Sequence, residues 1–560
     1  MKIALAQINP TVGALEGNYQ KIVEFAARAR AQGAELVIYP EMTICGYPAR
    51  DLVEKPEFVS ESLAWLRRAS RDSPGIALLC GCATPAAAAT GKSVHNSALA
   101  LLDGEVIFQQ SKMLLPTYDV FDELRNFAPA SQQRIWRWRG MRIAVTICED
   151  AWNDKNYWPK HQARLLYARD PVEEQMRSGA DFLINISASP YSAGKIALRQ
   201  EMLGAIGREY QVPVVFVNQV GGNDQLIFDG CSMVMGSDGT LRARAACFGE
   251  DILVVESDRG RGEIRPVPES ETAAMAEALV LGTRDYVVKC GFEHAVLGLS
   301  GGVDSAVTAA IAVEALGAAN VRGLYLPSRY SSHESERDAR AVAQALGISL
   351  ETVAIEPLFE AALAQAPASL TNAASRAADV ARQNLQSRLR GLLLMADSNV
   401  NGGLVLTTGN KSELAMGYCT LYGDMAGGLA VIADVLKTQV YALARRFQLP
   451  EAVILKAPTA ELKPDQVDQD DLPPYDILDA VIERYVERYR SPEAIAEELN
   501  LAPELVQSLV RRMDYSEYKR QQAAPGLKVS TKAFGLGRRL PIAQRYEAPL
   551  VPGGCLPALP

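Results

Sequence analysis

Histidine is scarce in this chain, with four residues among 560. Any catalysis therefore has to depend on cysteine, lysine and carboxylates. Basic residues are also outnumbered, 57 against 66 acidic ones, which gives a formal net charge of −9. That balance argues against nucleic acid as the main partner, although a local basic patch could still bind a nucleotide.

Long apolar runs are absent as well. No run approaches the ~18 residues that a membrane-spanning helix needs, and polar residues at Gln7 and Asn9 follow the start too soon for a signal peptide. The nine cysteines are scattered and do not form the dense framework of a disulfide-stapled protein, so most are expected to be packing residues. We therefore expect a cytoplasmic protein with no membrane partner.

The length of the chain exceeds what one hydrophobic core can organise. Strand-like and helix-like stretches alternate on both sides of 256–271, a segment rich in Arg, Glu, Asp, Pro and Gly without periodicity. We interpret that segment as a linker. The prediction is an α/β protein with two domains, 1–265 and 266–560. Near the end, 491–513 is expected to be helical.

A glycine-rich loop in the second half carries the strongest chemical signal. The apolar run 294–299 predicts a buried strand, and the Ala/Val-rich segment 305–316 predicts a helix. Glycines let the backbone approach an anion, and the N–H groups and dipole of a helix start favour a phosphate. No Gly-Lys-Ser/Thr closes the loop, so it is not a Walker A motif, and an ordinary strand-to-helix turn is the alternative. The loop residues are Gly298, Leu299, Ser300, Gly301, Gly302, Val303, Asp304 and Ser305.

Three residues of the first half lie at or near the ends of predicted strands, where loops carry function in α/β proteins. They are Glu41, Lys112 and Cys148. A cysteine attacks a carbonyl as its thiolate; a carboxylate can take the thiol proton and later give it to a leaving amine, while an ammonium stabilises the anions. Taken singly, each has an ordinary explanation: a capping acid, a surface lysine and a small buried side chain.

The contexts of these residues, 40–47, 111–116 and 146–152, resemble the nitrilase superfamily of carbon–nitrogen hydrolases. The resemblance covers roughly 1–265 and implies an αββα sandwich with Glu41 as base, Lys112 as oxyanion partner and Cys148 as nucleophile. Segments 118–123 and 185–195 resemble its glutaminase branch. They imply a glutamine pocket that includes Tyr118, Glu123, Ser189 and Lys195, with a structural salt bridge as the alternative role of Glu123.

Repeated strand–helix alternation in the second half predicts a doubly wound parallel sheet, which binds ligands beyond the carboxyl ends of its strands. That rule places the loop 300–305, Arg329, Thr408 and Glu413 on one rim. Hard carboxylate ligands suit a Mg²⁺ ion bound with pyrophosphate oxygens, and Asp304 and Glu413 are the acids best placed. The alternative for Glu413 is an acid at a helix N-terminus.

The loop 298–305 resembles that of the ATP pyrophosphatases, which break ATP between its α and β phosphates. Segments 326–332, 384–390, 407–413, 422–428, 434–441 and 518–520 extend the resemblance to NAD synthetases. With the amidase-like half in front, the chain resembles the glutamine-dependent NAD synthetases. This implies amidation of deamido-NAD with ATP and L-glutamine through an adenylate. The implied ATP residues are the loop with Arg329, Thr408, Lys437 and Thr459, and the implied deamido-NAD residues are Asn384, Arg388, Glu413, Asp424 and Lys519.

The resemblance also implies a homo-oligomer and a shielded path for ammonia. Three alternatives remain at this point. GMP or asparagine synthetases share the ATP loop but use other glutaminase types, and here no histidine lies near Cys148 and Met1-Lys2 opens the chain. An ammonia-only synthetase with an inert amidase half is opposed by the intact Glu41, Lys112 and Cys148. A non-catalytic nucleotide sensor is opposed by Asp304 and Glu413.

Overall fold

The structure is a computed structural model that describes residues 1–87, 91–161, 167–257, 261–371, 375–464, 466, 469 and 471–546. The chain divides into two compact units, one over 1–269 and the other from Ser270 onward. Each unit has its own sheets and core. Among the described residues, no helix combines the length and the apolar character needed to cross a bilayer.

The described part of the first unit contains fourteen strands and four α-helices. The strands are β1 (Lys2–Gln7), β2 (Leu36–Ile38), β3 (Ala77–Pro85), β4 (Val94–Leu102), β5 (Glu105–Ser111), β6 (Ile135–Trp138), β7 (Met141–Ile147), β8 (Phe182–Ser187), β9 (Val214–Asn218), β10 (Val220–Asn223), β11 (Leu226–Asp229), β12 (Met233–Met235), β13 (Leu241–Arg244) and β14 (Asp251–Glu256). The helices are α1 (Leu15–Ala31), α2 (Pro56–Arg71), α3 (Pro171–Arg177) and α4 (Lys195–Tyr210).

Twelve of these strands form two six-stranded sheets, in the orders β14-β1-β2-β3-β4-β5 and β13-β12-β9-β8-β7-β6, and β10 and β11 pair with each other as a separate antiparallel ribbon. Apolar residues of both sheets, such as Leu5 and Val145, share one buried core. The outer face of the first sheet packs on α1 and α2, and that of the second packs on α4 and the segments beside it. Both faces of every central strand are thus covered, which explains their nearly unbroken apolar sequences. The αββα sandwich is confirmed.

Where the structure describes it, the second unit is built on five strands: β15 (Ala295–Gly298), β16 (Val321–Tyr325), β17 (Ser349–Thr352), β18 (Leu404–Thr407) and β19 (Leu429–Ala430). Every neighbouring pair is parallel, in the order β17-β16-β15-β18-β19. Strands β16 and β17 are added on one side of β15, and β18 and β19 on its other side. This change of side at β15 opens a crevice beyond the carboxyl ends of the strands there. The parallel α/β sheet is confirmed.

Thirteen α-helices accompany this sheet in the described part of the unit. They are α5 (Glu271–Lys289), α6 (Val303–Leu316), α7 (His333–Leu346), α8 (Glu356–Ala364), α9 (Ala368–Thr371), α10 (Arg376–Asn401), α11 (Lys411–Met416), α12 (Lys437–Arg446), α13 (Glu451–Leu455), α14 (Tyr475–Ile482), α15 (Pro492–Leu499), α16 (Pro503–Tyr515) and α17 (Glu517–Arg520).

Two local predictions need correction. The helical stretch expected over 491–513 is two helices, because Asn500 ends α15 in a left-handed conformation (φ 52°) and Pro503 begins α16. Most cysteines were expected to be packing residues, but Cys231 and Cys247 form a disulfide. An antiparallel bridge between Gly230 and Cys247 brings them together, and sequence spacing does not reveal that pairing.

Candidate active sites

The three predicted amidase residues meet in the interior of the first unit. Glu41 follows β2, Lys112 follows β5, and Cys148 follows β7. Lys112 Nζ donates to Glu41 Oε1 and to Glu123 Oε1, both at 2.8 Å, and none of these three side chains is more than 5% exposed. Burial alone would lower the pKa of Lys112, but the charges of Glu123 and Glu41 raise it well above its usual value. The ammonium is therefore held permanently between two carboxyl groups.

Glu41 is fixed from two further directions. Asn96 Nδ2 donates to its Oε1 at 2.6 Å, and the backbone N–H of Ala188 donates to its Oε2 at 2.9 Å. Strand β3 passes close to the backbone of Glu41 and Met42. A Cβ on Gly81 would lie 2.1 Å from the Met42 nitrogen, so only glycine lets β3 approach that segment this closely. Asn96 was not predicted from the sequence. It lies between His95 and Ser97 in β4, so no local feature of the sequence singles it out.

Cys148 begins a tight turn, Cys148–Ala151, with a left-handed backbone (φ 45°). Its side chain is buried, and burial raises the pKa of the thiol; the charge of Glu41 adds to this and that of Lys112 opposes it. The resting group is thus a neutral thiol. An acceptor for its proton is needed when it attacks, and the charge of Glu41 is the strongest acting on it.

This state of Cys148 predicts a pH profile for its alkylation. Because the pKa of the thiol is raised, the thiolate fraction at neutral pH is small, and iodoacetamide labelling should continue to accelerate up to pH 9 without a plateau. Site-resolved mass spectrometry measures the rate, with exposed Cys290 as an internal reference. A plateau below pH 8 would show instead a stabilised thiolate, as in a thiolate–imidazolium pair.

Asp150 links the lysine and the cysteine segments. Its carboxylate accepts N–H bonds from Met113 (3.0 Å), Leu114 (2.8 Å) and Ile147 (3.2 Å). The side chain is fully buried, and burial raises its pKa to about 7. One side chain therefore sets the spacing between the strand ends that carry Lys112 and Cys148. The acidic residue appears in the sequence motif, but its role depends on contacts nearly forty residues apart.

The predicted glutamine residues lie around this cluster. Glu123 accepts from Tyr47 through Oε1 (2.8 Å), while its Oε2 is buried and has no partner among the described residues; burial raises its pKa to about 7. Tyr118 donates its hydroxyl to both oxygens of Glu149 at 2.9 to 3.0 Å. Glu149 is buried next to Cys148, and burial raises its pKa. Glu149 was not predicted from the sequence.

The other two predicted glutamine residues are on the same unit. Ser189 is buried, and its N–H donates to Asn218 Oδ1 at 2.9 Å. Lys195 begins α4; its Nζ donates to the Pro190 carbonyl at 2.9 Å and lies 5.4 Å from the centre of the Trp152 ring. Lys195 thus provides a cation, and Glu149 and Glu123 provide two carboxyl groups, in the surroundings of the Cys148 thiol.

In the second unit the loop 299–302 joins β15 to α6. A Cβ on Gly301 would lie 2.4 Å from the Ser335 carbonyl oxygen, and its φ is +81°, so this position requires glycine. Ser305 Oγ lies 2.9 Å from the Gly302 carbonyl and 3.2 Å from Ser300 Oγ. These bonds fix the loop against the first turn of α6. The N–H groups of Ser300 and Gly302 donate to Ser305 Oγ (3.3 Å) and Ser300 Oγ (3.2 Å), and the anion site at this loop stays a prediction.

Two acids meet one lysine beside this loop. Lys437 Nζ donates to Asp304 Oδ2 and lies 3.7 Å from Glu413 Oε1. Burial alone would lower the pKa of Lys437, but Asp304 and then Glu413 raise it above its usual value. Asn410, which was not predicted from the sequence, donates from Nδ2 to Asp304 Oδ1 (2.8 Å) and accepts from the Glu413 N–H (2.9 Å). One buried amide therefore holds the Asp304 carboxylate and the backbone of Glu413.

A cavity of about 500 Å³ opens beyond the strand ends of this sheet. Among the predicted residues, it is lined by Gly298, Leu299, Ser300, Gly302, Val303, Asp304, Ser305, Asn384, Thr408, Glu413, Asp424, Lys437, Thr459 and Lys519. Gly301, Arg329 and Arg388 are not in its lining. Arg329 pairs with Glu356 and with Glu360 (2.9 Å), and Arg388 is exposed and donates to the Leu421 carbonyl at 3.2 Å.

Three of the residues predicted for deamido-NAD, Asn384, Asp424 and Lys519, lie together in the lining of this cavity. Asn384 Oδ1 accepts from Thr420 Oγ1 (2.8 Å), and Asp424 accepts from the Thr420 N–H (2.6 Å). Burial raises the pKa of Asp424 to about 6. Lys519 donates to the carbonyls of Gly417 (2.7 Å) and Cys419 (2.8 Å). Thr459, predicted for ATP, donates to the Gln466 carbonyl.

Comparison with known proteins matches each unit to a family. Residues 2–265 match the carbon-nitrogen hydrolase model, and 275–523 match the NAD synthase model. A glutamine-dependent NAD(+) synthetase of Synechocystis is 47% identical, covering 97% of this chain and 99% of its own. The chain belongs to the glutamine-dependent NAD(+) synthetases.

Further members of this synthetase family agree over the same length. That of Thermotoga maritima is 38% identical over 98% of this chain and all of its own. The structure of the glutamine-dependent NAD+ synthetase from Acinetobacter baumannii, in complex with ADP, is 36% identical with a TM-score of 0.73, covering 97% of this chain and 98% of that one. Membership thus rests on both units together.

Proposed function

We propose that this protein forms NAD from deamido-NAD, using ATP and ammonia taken from L-glutamine, and releases AMP, pyrophosphate and glutamate. One observation carries the proposal: a buried Glu41–Lys112–Cys148 cluster and a phosphate-binding loop with two acids stand on the same chain. The first cluster suits attack on an amide carbonyl. The second suits phosphate chemistry.

In the glutaminase step, Cys148 Sγ attacks the side-chain amide carbon of glutamine while Glu41 takes the thiol proton. Lys112, held on Glu41 and Glu123, is available to stabilise the oxyanion. Glu41 then gives the proton to the departing ammonia, which leaves a glutamyl thioester on Cys148. Water activated by Glu41 hydrolyses that thioester and releases glutamate with the free thiol.

Recognition of glutamine requires groups for both charges of an amino acid. We propose that Lys195 and Ser189 bind the α-carboxylate. Glu149, a buried carboxylate beside the nucleophile, has the charge that an α-ammonium needs, and Tyr118 fixes its orientation through two hydrogen-bond distances. A simple amide without these charges would leave both groups unpaired and would bind more weakly.

In the synthetase step, the carboxylate of deamido-NAD attacks the α-phosphorus of ATP and pyrophosphate leaves. Ammonia then attacks the acyl carbon of the adenylate, and AMP leaves with the former carboxylate oxygen. We propose that the loop 299–305 and Lys437 bind the phosphates, with Thr408 and Thr459. Asn384, Asp424 and Lys519, together with exposed Arg388, are proposed to bind deamido-NAD.

A divalent metal accompanies ATP in this family's chemistry, and we propose Mg²⁺. Asp304 and Glu413 would hold the ion with hard oxygen donors. Asn410 donates to the Asp304 carboxylate and, as the N-cap of α11, accepts from the backbone N–H of Glu413. Phosphate oxygens and water would complete the coordination of a metal that arrives with the nucleotide. When bound, the ion supplies charge neutralisation on the phosphates. Lys437 contributes to the same end from this chain.

The test is NAD formation from ATP, Mg²⁺ and deamido-NAD, with glutamine and separately with ammonium. We expect NAD from both nitrogen sources. Parallel reactions with XMP or aspartate in place of deamido-NAD examine the other amidotransferases that share the loop. Failure to form NAD from either source would refute the proposal, and turnover with XMP or aspartate alone would replace it with one of those enzymes.

A further inference from the structure

One face of α10 lines the synthetase cavity. Its residues there follow helical spacing: Val380, Gln383, Asn384, Ser387, Arg390, Gly391 and Leu394. Leu394 lies against the start of the phosphate-binding loop, since a Cβ on Gly298 would be 3.6 Å from its Cδ1. Asn384 is at the other end, bonded to Thr420. Arg390 stands between these ends and is the one basic residue of this face.

Arg390 has few partners for its charge. Its Nε donates to the Leu326 carbonyl at 2.9 Å, just past the carboxyl end of β16. Within the described residues, that is the only hydrogen bond of its guanidinium, and no carboxylate lies within ion-pair distance. Glu461 and Asp424 act on it only from farther away, and burial lowers its pKa to about 10. Most of its five N–H donors therefore remain for something in the cavity.

Among the described residues, three arginines are buried and each is paired with a carboxylate, whereas Arg390 is half-buried. Arg199 binds Asp229 at 3.1 Å, Arg520 binds Glu517 at 2.8 Å, and Arg538 binds Asp514 at 2.8 Å. A guanidinium withdrawn from water without a carboxylate is unfavourable. Arg390 departs from this pattern at a cavity wall, where an anionic ligand can complete its coordination. The basic residue nearest the loop, Lys437, is already shared by two acids.

We propose that Arg390 is a phosphate-binding residue of the synthetase site. This rests on the proposed function, which brings two phosphate-bearing molecules into the cavity. A planar guanidinium whose Nε is fixed on Leu326 presents its remaining N–H groups as a fork that matches two phosphate oxygens. Its position between the loop and Asn384 allows that phosphate to belong to ATP or to the pyrophosphate of deamido-NAD. The chemistry recognised is the same in both.

The experiment measures dissociation constants by calorimetry for wild type, Arg390→Met and Arg382→Met. Arg382 is the matched control, because it lies on the same helix, outside the cavity lining, and bonds the Leu370 carbonyl. The probes are ATP and deamido-NAD, with adenosine and nicotinic acid riboside as their phosphate-free counterparts. For Arg390→Met we expect the constant of one phosphate-bearing probe to rise by about tenfold or more. The phosphate-free probes and the control variant should change by less than about twofold.

The probe that weakens identifies the source of the phosphate. Unchanged binding of both ATP and deamido-NAD by Arg390→Met would overturn the inference, as would equal weakening of the phosphate-free probes, which a purely structural role produces. If Arg390→Met does not fold, Arg390→Lys and Arg390→Gln replace it. Equal affinities of these two variants for ATP and for deamido-NAD would then also overturn the inference, because only the lysine variant keeps the positive charge. A wild type that binds neither nucleotide contradicts the proposed function itself, and this inference with it.

Discussion

Cys148→Ala should abolish NAD formation from glutamine and leave NAD formation from ammonium intact. The substitution removes the nucleophile and nothing else from the amidase cluster, since the bonds of Lys112 to Glu41 and Glu123 do not involve the sulfur. We expect the glutamine-driven rate to fall by roughly 10³-fold or more, as when a covalent nucleophile is lost. Initial rates of NAD formation with each nitrogen source measure this.

A matched control is Cys290→Ala, which removes an exposed thiol of the second unit and should leave both rates unchanged. Two results would contradict the expectation. Substantial glutamine-driven activity in Cys148→Ala would mean that another group attacks the amide. An equal loss of ammonium-driven NAD formation would mean that substituting Cys148 does not separate the glutaminase reaction from the synthetase reaction.

Asp304→Asn should reduce NAD formation from both nitrogen sources to the same extent. The amide keeps the size of the side chain and its bond to Asn410, but it removes the charge that Lys437 pairs with and that a metal requires. We expect a loss of about 10²-fold or more, because interactions aimed at phosphate charge in a closed site are worth several kcal/mol. Both nitrogen sources use this one site for adenylation.

For this variant, Asp397→Asn is the control. Asp397 is also an ion-paired acid of the second unit, bound to Arg322 at 3.0 Å, but it lies outside the cavity lining. Its rates should be those of wild type, with a somewhat lower unfolding temperature. If Asp304→Asn retained full activity, or lost only the glutamine-driven reaction, the acid pair would not be part of the synthetase site.

Residues at strand ends are the easiest to predict. Cys148 and the loop 299–305 come directly after apolar strands, and parallel strands bring the residues beyond their carboxyl ends to one edge of the sheet. Lys112 follows the more polar strand β5. The alternation of strands and helices is enough to indicate both folds. The fold and the candidate reacting groups can therefore be predicted from the sequence, because they depend on local sequence pattern and on the order of elements along the chain.

The residues that hold the reacting groups are not readable in this way. Asn96 bonds Glu41 across 55 positions, and Asn410 bonds Asp304 across 106. Nothing local in the sequence distinguishes these asparagines from others that end strands or cap helices. Arg390 differs from Arg388 only in which face of α10 it occupies. Tertiary packing decides which distant residue a side chain bonds and which face of a helix points into the cavity. Neither can be deduced from a single sequence.

The sharing of Lys112 by Glu41 and Glu123 has a consequence for the energetics of turnover. In the proposed chemistry the proton of Cys148 passes to Glu41 and leaves with ammonia, while the sulfur becomes an uncharged thioester. The total charge of that cluster stays constant through acylation. No counter-ion has to enter or leave an interior where moving a charge is most unfavourable. The protein thus supplies the compensating charges from its own buried side chains, and the reaction only redistributes charge among them.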